Sequence, residues 1–78
     1  MKNKTKIISK IVNVVFKKVK LEDFDYYDFY ESIKKENKKD YNSFIVDMHA
    51  ILRISKSEQT LMFVAGLIET SKELRNEI

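Results

Sequence analysis

The chain has no cysteine, no proline and no tryptophan, one glycine (Gly66) and one histidine (His49). Each absence removes a class of structure or chemistry. Without cysteine there is no disulfide framework, and a lone histidine cannot complete a structural zinc site, so no metal or other cofactor is expected. Small sheet domains turn their hairpins on glycine-containing pairs, and Asn-Gly and Asp-Gly do not occur. No stretch approaches the ~20 apolar residues of a membrane span. Residues 1–16 begin basic and turn apolar, as a secretory signal does. Lys10 and Asn13 interrupt the apolar run, however, and no small-residue cleavage pattern follows. The expectation is a cytoplasmic chain without integral membrane association.

What is present is a helical composition. Seventy-eight residues, 44% hydrophobic and 35% charged, make one domain spanning 1–78. A domain of this size buries little more than about 60% of its unfolded surface, which makes oligomerisation a natural remedy. Lysine outnumbers arginine thirteen to two, a bias that an AT-rich bacterial or phage genome produces without any functional demand.

Four helices follow from periodicity and capping. The first is expected over about Lys4–Lys20, with Ile8, Ile11, Val12, Val15 and Val19 on one side and lysines on the other. Its many β-branched residues make a strand over 10–21 the competing reading. The second starts at an Asp23 or Asp25 cap and buries Tyr26, Phe29, Tyr30 and Ile33, leaving Phe24 and Tyr27 near the exposed side. Acids at its start and lysines at its end suit the helix dipole, and Glu31 is spaced to meet Lys35. A loop over Glu36–Lys39 leads to a third helix, capped by Asp40 and running to Ile54. Tyr41, Phe44, Met48, Ile51 and Leu52 form its inner side. The fourth begins at a Ser55 or Ser57 cap and continues to the C-terminus. Leu61, Val64, Ala65 and Ile68 lie on one side of it, and Phe63, Leu67, Leu74 and Ile78 on roughly the other. A thin bundle cannot bury both, so Phe63, Leu67 and Leu74 are assigned to self-association. The fold class is therefore all-α, a small four-helix bundle that is either compact or completed by dimerisation.

Charge is segregated along the chain. Residues 1–20 carry seven lysines and no acid, and residues 21–31 carry five acids and no base. The acidic run is also aromatic, and Asp25, Tyr27, Asp28 and Glu31 are its candidate contacts to a protein partner with a basic surface. Lys6, Lys10, Lys17 and Lys20 are candidates for weak, sequence-independent contact with nucleic acid. Catalysis lacks its parts: His49 has only Arg53 one turn away, and the clustered carboxylates have no evident cleft. No catalytic residue is assigned and no enzyme is expected.

The stretch His49–Leu61 resembles a helix-turn-helix unit, with an alanine, a turn and a Ser/Thr-rich start to a second helix. Ile54 stands where that motif carries glycine, and two extra residues separate Ser57 from Thr60. A recognition helix must also present polar side chains to the groove, and Leu61–Ala65 are apolar without interruption. In size and class the chain is similar to bacteriocin-immunity bundles, with no shared motif. The function expected from the residues is non-enzymatic binding of another macromolecule, by a bacterial or phage-type regulator or inhibitor acting as a homodimer. The alternatives are a nucleic-acid-binding transcriptional regulator and an immunity-like bundle.

Overall fold

The computed structural model describes residues 2–76, with side-chain surroundings from residue 4 onward. Four helices account for most of them: α1 (Lys2–Val15), α2 (Tyr26–Lys35), α3 (Lys38–Ile54) and α4 (Glu58–Leu74). There is no strand among the described residues. One core joins all four, built from Ile7, Ile11, Val14 and Val15 of α1, Phe29 and Ile33 of α2, Tyr41, Phe44, Met48 and Ile51 of α3, and Phe63, Val64, Leu67 and Ile68 of α4. The all-α four-helix class is as the periodicity predicts, and the strand reading of residues 10–21 is not realised.

Helix α1 stops five residues short of its expected end. At Lys17 the backbone turns left-handed, with φ 62°. The Lys18 N–H reaches back to Asn13 O at 2.8 Å and the Lys17 N–H to Val14 O at 3.0 Å. These two bonds form a Schellman termination with lysine where glycine is usual. Val19, expected inside, is consequently 38% exposed, and Lys17 and Lys20 fall outside the helix. The chain then makes a single 3₁₀ turn, Leu21–Asp23, before entering α2.

Each later helix has a side-chain cap. Asp25 Oδ1 accepts from the Asp28 N–H at 3.0 Å, so the second of the two candidate caps starts α2. The start of α3 differs from expectation. Asn37 caps it, accepting from the Asp40 N–H at 2.8 Å, while the Asn37 side-chain amide donates to Asp40 Oδ2 at 2.9 Å. This reciprocal pair satisfies the first turn three residues earlier and shrinks the loop to Glu36 and Asn37. Ser57 caps α4, accepting from the Thr60 N–H at 3.1 Å. Ser55 closes α3 instead, its hydroxyl donating to Ile51 O at 2.9 Å.

The largest departure is on α4. Phe63 and Leu67 do not form an outer face: they are 7% and 3% exposed and belong to the core together with Val64 and Ile68, while Leu74 packs against it. The assignment of Phe63, Leu67 and Leu74 to self-association is therefore corrected; Ile78 lies outside the described residues. At about 100° per residue, Thr60 and Ser71 sit in the middle of a single inward arc of roughly 140°. Both are polar, and both are buried with their hydroxyls bonded to their own helix turn, Thr60 to Ser57 O at 3.0 Å and Ser71 to Leu67 O at 2.7 Å. A buried hydroxyl satisfied in this way is tolerated inside. Around the helix Thr60 and Ser71 stand between Val64 and Ile68 on one side and Phe63 and Leu67 on the other, so the apolar residues alone trace two faces where the fold has one.

Candidate functional site

The acidic run leads into α2 along one edge of the bundle. Phe24 precedes the helix in extended conformation, so helical periodicity does not govern it. It is 8% exposed, contrary to expectation. Its ring meets Phe63 edge-on with centroids 5.1 Å apart and Tyr26 at 5.1 Å, and it lies 5.9 Å from Phe29. This cluster is a fixed platform under the start of α2. Above it Tyr26 is 41% exposed, where the sequence placed it inside, and Tyr27 is 74% exposed. Partial burial, with Tyr30 nearby, holds the Tyr26 phenol above its ordinary pKa, so the hydroxyl stays protonated at neutral pH.

Three of the four proposed contacts here are already engaged within the chain. Asp25 is the helix cap. Asp28 accepts from Lys10 Nζ at 2.7 Å. Glu31 pairs with Lys34 at 3.1 Å rather than with the expected Lys35. The hydrogen bond from Lys10 is the largest influence on Asp28. It lowers the carboxyl pKa against a smaller desolvation effect, and the positive fields of Lys10 and Lys6 add to the lowering. Tyr27, with the exposed carboxylates Glu22 and Asp23 and the cap Asp25, is what this edge presents to solvent.

The fold also divides the lysine stripe. Lys10, with Lys6 behind it, faces the acidic edge. Lys4, which periodicity did not single out, bonds Ser43 Oγ at 2.7 Å and pairs with Asp47 at 3.0 Å across α1 and α3. Lys17 and Lys20 lie at the opposite end of α1. There they join Lys56, which the sequence reading missed because it lies 36 residues beyond Lys20. Two open hollows flank Lys17. One, about 380 Å³, is lined by Phe16, Lys17, Ile54, Lys56 and Thr60 among others. The second, about 290 Å³, is lined by Val19, Lys20, Leu21 and Glu22 among others. Phe16 is 57% and Ile54 49% exposed at this end.

His49 is exposed on α3 and lines neither hollow. Among the described residues no three His, Asp or Glu side chains gather as metal ligands. No helix among them is long and apolar enough to cross a membrane. Comparison with protein-family models, curated proteins and solved structures gives no match to this chain.

Proposed function

We propose that the chain is a non-enzymatic binding protein that docks a basic protein surface through the edge at the start of α2. The observation that carries this reading is Tyr27, 74% exposed beside Asp23 and Asp25 while the neighbouring Phe24 and Phe29 are buried beneath it. A tyrosine held on a rigid base loses little conformational freedom on binding and offers both an apolar face and a hydroxyl, which is why such residues anchor interfaces. The surrounding carboxylates complement a basic partner and steer its approach.

The structure chooses the variants for the test. Reversing Asp28 would set a lysine against Lys10 and disturb the α1–α2 contact, so its effect on binding would be ambiguous. Tyr27→Ala and Asp23→Lys alter groups without such a contact. Capture from nuclease-treated host lysate is expected to retrieve one protein with the parent chain and to lose it with both variants, at unchanged helicity. Equal recovery by the parent and both variants would remove this edge from the site.

A second reading rests on the opposite end of α1. Lys17 lines both hollows, with Phe16 and Lys56 at one and Lys20 at the other, an arrangement of cations and one exposed ring that suits single-stranded nucleic acid. Binding of an oligonucleotide that weakens steeply with salt and is lost in Lys17→Glu/Lys56→Glu would favour this reading over the first.

A further inference from the structure

We propose that the hollow between the end of α1 and the start of α2 is a binding site for one arginine side chain, presented by the basic partner that docks on the acidic edge. The inference rests on that docking reading and names the group that is recognised. The hollow measures about 260 Å³, below the roughly 300–1,000 Å³ of sites that enclose small molecules, and so suits a single side chain. Val14 and Phe24, both buried, give it an apolar floor, and Val19, 38% exposed, stands at its rim. Asp23 and Asp25, both exposed, supply the charge. Carboxylates on open surface attract any small cation. Carboxylates beside an apolar floor select a cation that carries a hydrocarbon stem.

Both carboxylates have capacity left for a ligand. Asp23 makes no ion pair among the described residues. Asp25 uses Oδ1 to accept from the Asp28 N–H, which leaves Oδ2 for a second donor. Among the described residues Lys10 is the one cation that lines the hollow, and its ammonium is held by Asp28 at 2.7 Å. Lys10 therefore leaves Asp23 and Asp25 without a counter-charge. An arginine entering here lays its methylene stem on Val14 and Val19 and brings its guanidinium to the two carboxylates. The Asn13 carboxamide, also in the lining, is a further acceptor. A planar fork of five donors reaches several acceptors at once and stacks on a ring such as that of Phe24. A lysine ammonium is a point charge with three donors and matches this set less well.

The probe is N-acetyl-arginine amide, titrated at low salt and followed by nitrogen–proton NMR of the whole chain. Saturating shifts are expected at the residues that line the hollow. N-acetyl-citrulline amide, which carries a neutral urea in place of guanidinium, should not saturate. Methylguanidinium, which has the charge without the stem, should bind several-fold more weakly. Asp23→Asn/Asp25→Asn should weaken arginine binding several-fold at unchanged circular dichroism, because asparagine also caps a helix. Tyr27→Ala should leave the titration unchanged while it loses the captured protein, so the two readings separate. An arginine probe that fails to saturate overturns the site, even where Tyr27→Ala abolishes capture. So does citrulline or methylguanidinium binding as tightly as arginine, or a double variant equal to the parent. Equal capture by the parent, Tyr27→Ala and Asp23→Lys beside a saturating arginine titration removes the docking edge and leaves the hollow as an arginine site.

Discussion

The Arg75 guanidinium lies over the ring of Tyr41, 4.6 Å from its centroid, and joins the end of α4 to the start of α3. From that position Arg75 Nη1 donates to Ile33 O at 3.1 Å and to Glu36 O, two carbonyls at the end of α2. One side chain thus caps one helix and stacks on another, which a planar, five-donor cation can do and a lysine cannot.

Removing this latch should be costly for a surface-near residue. Arg75→Ala loses charge-assisted bonds to terminal carbonyls and the cation–π contact, a cost of about 2 kcal/mol. Arg75→Lys should recover only a minor part of it. Urea unfolding midpoints of the three proteins check the order. A lysine variant as stable as the parent would show that charge alone matters there.

Lys17 should gain from becoming glycine. Its φ of 62° costs an L side chain roughly 1 kcal/mol that glycine does not bear. Lys17→Gly is expected to raise the melting temperature by about 4–8 °C, the shift that such a change produces in a domain of this size. Lys17→Ala, which keeps the Cβ, should give no such rise. Thermal melts of both variants separate backbone relief from the loss of charge.

Gly66 should behave in the opposite way. It lies inside α4, has no positive φ, and an added methyl meets no neighbour. Gly66→Ala is expected to stabilise the chain by about 0.5–1 kcal/mol through helix propensity alone. Urea denaturation of the parent and the variant reads this difference. A destabilised variant would mean that the site is closed by something other than the four helices.

The pair between Lys10 and Asp28 predicts an acid dependence. The Asp28 carboxyl has a folded pKa below its unfolded value, so its contribution is present above the unfolded pKa and is lost as pH falls through the folded one. With both side chains about 40% exposed, the pair contributes at most about 0.5–1 kcal/mol. Asp28→Asn should therefore be less stable than the parent at neutral pH, and the two should converge once the pH has fallen through the folded pKa of Asp28, where both carry an uncharged side chain. Urea titrations from neutral pH into acid test this. A gap that persists in acid would assign the stabilisation to packing instead of charge.

The positions of the four helices were legible without coordinates because their causes are local. Periodic apolar residues, the Asp25 and Ser57 caps and the acidic start of α2 all act within one or two turns. Helix ends were less legible. The stop at Val15 depends on a left-handed lysine that no residue preference announces, and Asn37 competes with Asp40 for one cap. The tertiary structure alone decided which groups meet. Lys10 and Asp28 are 18 residues apart, Lys4 and Ser43 39, and Arg75 and Ile33 42, and contacts at such separations arise only from helix packing. The same holds for α4. Its residues fix that Leu61–Ile68 are apolar without interruption, but which arc turns inward depends on whether Thr60 and Ser71 can be buried. That depends on their hydroxyls finding acceptors on their own helix turn while α1, α2 and α3 close over them, leaving Leu61, Met62, Ala65 and Gly66 facing solvent.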